Sequence, residues 1–332
     1  MNLVTGATGL VGTHVLLTLL QQGKKVVATK RASSNLSEVE KVFSYYTNES
    51  KKLFNQIIWR DVDLNDVLGL DELLNDITSV YHCAALVSLN NSDRNQLLKI
   101  NVEGTANLVN ACIQKKIDSF CFVSSIATLQ NPDIKGDLDE TVFWKNKPNQ
   151  NVYSLSKYLA EQEVWRAMEE GLNAVIVNPG VIVGPGNWNR GTGQLFSLSK
   201  KGVLFYTEGV NGFVDVKDVA EMMVDLCDKK MFGERYLLVE NNYSFKEILE
   251  QIHIALGKKP PQIKAGKFFL NLGRLFTFLL PENLKVNASM IETLTDKTTY
   301  NSQKVKKCLS RSFTPISQSI GFAAGVYKNL GT

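Results

Sequence analysis

No two of the five cysteines form a C-x-x-C pair, and the three histidines have no ligand-like spacing. Cys83, Cys112, Cys121, Cys227 and Cys308 are odd in number, far apart and mostly set in apolar runs. This argues against a disulfide framework and a metal site, and predicts reduced thiols in a cytoplasmic protein. Lysine and arginine form no block. Lys24-Lys25, Lys51-Lys52, Lys200-Lys201, Lys258-Lys259 and Lys306-Lys307 are scattered pairs, and the formal charge is only +4. No nucleic-acid partner is therefore expected. There is no internal repeat or low-complexity tract. An apolar strand begins directly after Met1, so no secretory leader is expected. No apolar run is long enough to span a bilayer: Phe268–Leu280 is too short and is broken by Asn271 and Arg274. Its main reading is a helix lining an apolar pocket or covering the core. A weak peripheral membrane contact through 268–280, with Lys264 and Lys267 at its edge, stays open beside it.

What the chain does have is alternation. Apolar strands at Asn2–Thr5, Lys25–Thr29, Gln56–Asp61, Ser79–His82, Ser119–Ser124 and Ala174–Asn178 are separated by helical stretches. That order predicts an α/β fold, a doubly wound parallel sheet of Rossmann type. Glycine and proline cluster between Pro179 and Gly193, which marks an irregular connection. A helix from Val216 and a strand at Tyr236–Val239 return to the sheet. The expected division is a dinucleotide domain of 1–183 and 213–240, with a smaller, mostly helical substrate lid of 184–212 and 241–332. Within the first strand–helix junction, Thr5-Gly-Ala-Thr-Gly-Leu-Val-Gly12 follows a strand and opens an amphipathic helix. Gly6 suits the tight turn, Gly9 the approach of pyrophosphate, and Gly12 close helix–sheet packing. The helix N-terminus then offers N–H groups to phosphate. Downstream, Tyr153-Ser-Leu-Ser-Lys157 places a phenol and an ammonium one helical turn apart.

With these motifs the chain resembles the extended short-chain dehydrogenase/reductase superfamily, the NAD-dependent epimerase/dehydratase family, over about residues 2–240. Further markers are Asp63-Leu64, His82-Cys83-Ala84-Ala85, Asn101 in N-x-x-G-T, Ser124-Ser125, Asn178-Pro179-Gly180, Gly184-Pro185-Gly186 and Phe213-Val214-Asp215-Val216. The resemblance implies an NAD(P)-dependent oxidoreductase. Its cofactor contacts would be Gly6, Thr8, Gly9, Leu10, Val11, Gly12, Lys30, Arg31, Asp63, Leu64, Cys83, Ala84, Ala85, Asn101, Ser124, Tyr153, Lys157, Pro179, Gly180 and Val181. Asp63 could equally cap the following helix. Lys157 would bond the nicotinamide ribose, and Ser125, with Ser124 as fallback, would hold the substrate oxygen. Dimerisation through helices 93–116 and 152–170 is a family habit, and a monomer is equally compatible.

A free tyrosine ionises near pH ~10, so catalysis needs it tuned. The Lys157 charge and an oxidised nicotinamide are expected to lower the Tyr153 pKa, letting it exchange a proton while hydride moves. The second strand ends in Ala28-Thr29-Lys30-Arg31, with no acid until Glu38. An acid there would favour NAD, whereas an arginine accommodates a 2′-phosphate, so NADP is expected and NAD is the runner-up. Dihydroflavonol-reductase-like members carry a similar ending. Sugar epimerases commonly place an asparagine where this chain has Val181, and a tyrosine-glycine pair where it has Leu129-Gln130. Dehydratases add an acid pair where it has Ile126-Ala127. The expectation is therefore a reductase or alcohol dehydrogenase of a bulky apolar small molecule, resembling the 3β-hydroxysteroid dehydrogenase and dihydroflavonol reductase branch. Val181, Val183, Phe196, Phe205 and 268–280 would line its pocket. The alternatives are a nucleotide-sugar epimerase or dehydratase and a non-catalytic dinucleotide sensor.

Overall fold

The computed structural model describes residues 1–275 and 288–330, apart from Leu89, Pro132, Lys135 and 147–149. The strands in chain order are β1 (Asn2–Thr5), β2 (Val26–Lys30), β3 (Ile58–Asp61), β4 (Ser79–His82), β5 (Ser119–Val123), β6 (Ala174–Pro179), β7 (Val181–Val183), β8 (Phe205–Tyr206), β9 (Val210–Asp215), β10 (Glu234–Leu238), β11 (Asn241–Ser244) and β12 (Ile263–Lys264). Seven of them form one sheet in the order β10-β6-β5-β4-β1-β2-β3, every pairing parallel. Parallel strands need crossovers, and helices supply them. α1 (Leu10–Gln21), α2 (Ser37–Ser44), α3 (Ser50–Phe54) and α4 (Val67–Leu73) connect the first four strands. α5 (Arg94–Leu97), a π-helical turn at Leu98–Glu103 and α6 (Gly104–Gln114) lead to β5, and α7 (Val152–Glu169) leads to β6. The unbroken helix expected over 93–116 is thus interrupted by the wider π turn.

Side chains alternate across a strand, so each apolar strand feeds two cores. Val4, Ala28, Tyr81, Cys121, Val175 and Val177 pack with α1 on one face. Leu3, Val27, Val80, Phe120, Phe122 and Ile176 pack with α4, α6 and α7 on the other. β6 is buried along its whole length, whereas edge strand β3 is mostly exposed.

Beyond β6 the chain builds a second layer. α8 (Gly193–Lys200), α9 (Val216–Asp228), α10 (Phe245–Ala255), α11 (Lys267–Leu275), α12 (Ala288–Thr295), α13 (Gln303–Leu309) and α14 (Ile316–Asn329) follow in order. β11, β9 and β7 make a small mixed sheet. Phe196, Phe213, Phe245, Ile248, Ile252, Ile316 and Ile320 form its core with α8, α10 and α14. Two placements differ from the sequence reading. Phe213–Asp215 belongs to this small sheet, and only β10 rejoins the main one. Val305, Leu309 and Phe313, assigned to the lid, pack in the main-sheet core beside α9. Val305 and Leu309 lie one turn apart on α13, Phe313 follows beyond its end, and Arg311 pairs with Glu221 and Asp225 on α9.

Candidate active site

The sheet order reverses direction in sequence between β4 and β1. In open parallel sheets the crevice outside the strand C-termini at such a switch point is where ligands bind. The expected site residues lie at these C-terminal ends or on adjoining helices.

The turn after β1 is shaped by close backbone approach. Gly6 has φ +61°, and a Cβ there would meet Ala84 backbone at 2.6 Å. A Cβ on Gly12 would lie 2.3 Å from the Gly6 carbonyl oxygen. Glycine is therefore required at both positions. α1 begins at Leu10 with Gly9 as its N-cap, and no side chain caps its first N–H groups. Those donors and the positive end of the helix dipole fit a pyrophosphate. The residues present thus fit a dinucleotide, whose phosphates the Gly6–Gly12 turn would hold.

At the ribose end, Lys30 pairs with Asp61 on the neighbouring strand at 3.4 Å. Arg31, the next residue, is exposed and close enough to Asp63 to help lower its pKa. The larger causes of that lowering are hydrogen bonds from the Asn65 backbone and side chain to the Asp63 carboxylate. Asp63 therefore shapes a turn, and Asp66 caps α4 through Gly69 N–H at 3.0 Å. Leu64 lies against Gly104, and its carbonyl accepts from Asn107.

A buried polar chain ties the end of β1 to α7. Thr105 Oγ1 donates to the Asn101 carbonyl at 2.6 Å, so it accepts from His82 Nε2 at 3.0 Å. His82 Nδ1 then accepts from Thr5 Oγ1 at 2.7 Å. Burial pushes the His82 imidazole down to about 3, keeping it neutral. The Asn101 side chain brackets Leu86 through both its N–H and C=O and donates to Ser156 Oγ at 3.0 Å. Ser156 in turn donates to the Tyr153 carbonyl at 2.8 Å. The π turn that interrupts the 93–116 helix carries Asn101.

Asn151 caps α7, its side chain accepting from Tyr153 N–H at 2.8 Å. Tyr153 is partly buried, and the Ser125 side chain is near enough to act on its phenol. Burial raises the phenol pKa, and Ser125 only partly offsets this. The expected lowering by Lys157 is not what these groups do on their own. Lys157 is buried, with its Nζ donating to the Val123 carbonyl at 2.6 Å and lying 4.4 Å from the Phe122 ring centre. Desolvation lowers its pKa to about 8, opposed by the nearby Glu161 and Cys83. Cys83 is pushed up to about 12 by burial, so it is a thiol beside this ammonium.

The two serines part company. Ser124 Oγ is buried and donates to Glu161 Oε2 at 2.6 Å. Ser125 caps a short 3₁₀ turn through Ala127 N–H at 3.1 Å and reaches Tyr153. Sequence reasoning missed Glu161, although Tyr153, Lys157 and Glu161 recur every four residues on one face of α7. Its carboxylate also accepts from Thr128, Asn178, Trp165 and Arg235. Pro179 ends β6, and a Cβ on Gly180 would meet the Gly212 carbonyl at 2.5 Å, so Gly180 and Val181 lie where the small sheet joins the main one.

The expected substrate pocket is partly corrected. Val183 and Phe196 are buried in the lid core. A separate cavity of about 180 Å³ lies within the lid among Leu195, Phe205, Phe245, Leu249, Leu270 and Leu294, and no described residue of the crevice lines it. Residues 276–280 of the expected aromatic helix lie outside the described residues.

Known proteins place this geometry in a family. A Synechocystis sp. protein named for dihydroflavonol 4-reductase is 33% identical over 272 residues, covering 78% of this chain and 73% of that one. Cinnamoyl-CoA reductase 1 of Petunia hybrida is 28% identical, covering 74% of each chain. The crystal structure of gox2253 aligns with a TM-score of 0.82 at 28% identity, over 100% of this chain and 98% of that one. Residues 2–238 match the pattern of the NAD dependent epimerase/dehydratase family. The chain belongs to that family and is an NAD(P)-dependent enzyme of the extended short-chain dehydrogenase/reductase type.

Proposed function

We propose that the protein reduces a ketone on a bulky apolar small molecule, or oxidises the matching secondary alcohol, using NADP(H). The observation that carries this reading is the proximity of the Ser125 side chain to the Tyr153 phenol, together with an α1 N-terminus free of side-chain caps. The bound nicotinamide would supply or accept the hydride. Tyr153, with its pKa raised by burial, keeps its proton at neutral pH and is suited to donate it to a carbonyl oxygen. Ser125 orients that oxygen by donating a second hydrogen bond. Lys157, held by the Val123 carbonyl, keeps a proton at Nζ within the same buried region. Exposed Arg31, next to a lysine already paired with Asp61, is the group suited to a 2′-phosphate, because its planar fork bonds phosphate oxygens in pairs. The replacement of the epimerases' usual asparagine by Val181 supports an apolar substrate.

The test is NADPH-dependent turnover over a panel of aryl and alicyclic ketones. Tyr153→Phe is expected to lower kcat by about 10²–10⁴-fold; unchanged turnover refutes the assignment. Arg31→Ala is expected to raise KM for NADPH by roughly 10- to 100-fold while barely affecting NADH, as one charge-assisted phosphate contact implies. An unchanged NADPH/NADH ratio refutes the cofactor preference.

A further inference from the structure

β8 and β12 pair in parallel, with Ile263 opposite Phe205, and α11 begins three residues after β12. Together they expose Leu204 (61%), Ile263 (49%), Phe268 (83%) and Phe269 (52%). Phe269 stacks on Phe205 with ring centres 5.5 Å apart. Phe205 is itself 42% exposed, yet it also lines the apolar cavity with Leu270. Apolar surface thus runs unbroken from solvent to the cavity. Scattered exposed apolar side chains need no explanation, but a contiguous aromatic patch marks an interaction site.

The charge around the patch is mostly positive. Residues 198–206 and 256–275 contain no aspartate or glutamate, while Lys201, Lys258, Lys259, Lys264 and Lys267 are exposed. Among the described residues beside it, Glu208 is engaged by Lys264 and Glu250 by Lys246. Aromatic side chains ringed by lysine are the composition that seats a protein in the headgroup layer of an anionic bilayer.

We propose that this face docks the protein on anionic lipid membranes, with Phe268 and Phe269 entering the acyl boundary and the surrounding lysines meeting lipid phosphates. The proposal stands apart from the assigned reaction, because its test does not read activity. Full-length protein is co-sedimented with phosphatidylcholine vesicles and with vesicles containing phosphatidylglycerol. The expected result is binding to the anionic vesicles that weakens as salt rises. Phe268→Asp with Phe269→Asp should lower the apparent affinity about tenfold or more, and Lys258→Glu with Lys259→Glu should do so on anionic vesicles only. Because these side chains are exposed, an unchanged Tm confirms that each variant folds. Val67→Asp with Leu68→Asp, an equally exposed apolar pair on α4, should bind like the unaltered protein. The proposal is overturned if the unaltered protein ignores anionic vesicles, if the phenylalanine variant binds as well, or if the α4 control loses binding equally. It is also overturned if the patch variants instead abolish a concentration-dependent dimer formed without lipid.

Discussion

Lys157 keeps an ammonium in a place that disfavours it: buried, against an aromatic face, and bonded to one backbone carbonyl. Its pKa of about 8, against the ordinary 10.5, has a definite sign for stability. Below pH 8 both folded and unfolded chains carry the proton, and the burial cost is fully present. Between 8 and 10.5 the folded chain sheds its proton first, so the contribution of this group to stability rises with pH. The ceiling on that gain is roughly 3 kcal/mol. Urea unfolding of the cofactor-free protein below and above this window should show the gain, and Lys157→Met should lack it; equal pH dependence would exclude the depressed pKa. The Tyr153–Lys157 pair was legible because four residues make one helical turn. Its electrostatics were not, because Val123, Phe122 and Glu161 meet Lys157 only after β5 and α7 pack. The same holds for Ser124 and Ser125. Spacing cannot say which of two adjacent hydroxyls faces Glu161 and which faces Tyr153, whereas neighbouring side chains on extended backbone point opposite ways.

At the scale of elements, α7 is the part on which the site depends. Its first turn carries Tyr153, its second Lys157 and its third Glu161, which binds the loop after β5 to β10 through Ser124, Thr128 and Arg235. Glu161 is 1% exposed and the Arg235 side chain 15% exposed, so removing one partner leaves a charge with little water to solvate it. Glu161→Ala is expected to cost about 3–5 kcal/mol in urea unfolding. Adding Arg235→Met should recover part of that loss, since the stranded guanidinium is gone. Strict additivity of the two substitutions would show that the pair is not coupled. The central strands were readable from apolar runs, within a residue or two of the observed ends. The break in the 93–116 helix was not, because a π turn leaves no mark on apolar periodicity. Asn101 occupies it, and the bonds that hold it come from Leu86 and Ser156, far away in the chain.

For the whole molecule, the least legible feature was the path of the C-terminal segment. The apolar residues Val305, Leu309 and Phe313 would fit either layer equally well, so the apolar pattern could not choose between lid and sheet. Charge chooses. Arg311 reaches Glu221, Asp225 and buried Asp218 on α9, and Asp218 also accepts from Thr314 N–H at 2.6 Å. This clamp draws the chain back across the nucleotide domain before α14 returns to the lid core, so the two layers share one continuous strap. Burial raises the Asp218 pKa, with Asp215 adding to it and Thr314 and Arg311 opposing. Removing Arg311 takes away one opposing charge and leaves the carboxylates facing one another. Arg311→Met should therefore lose about 1–3 kcal/mol near neutral pH. The deficit should shrink as acid neutralises the carboxylates and as salt screens them. Lys24→Met, which breaks a pair with exposed Asp228, should cost no more than about 1 kcal/mol. Urea unfolding of both variants at neutral and mildly acidic pH separates the cases: equal losses, or an Arg311→Met deficit that ignores pH, would show that apolar packing alone holds the strap.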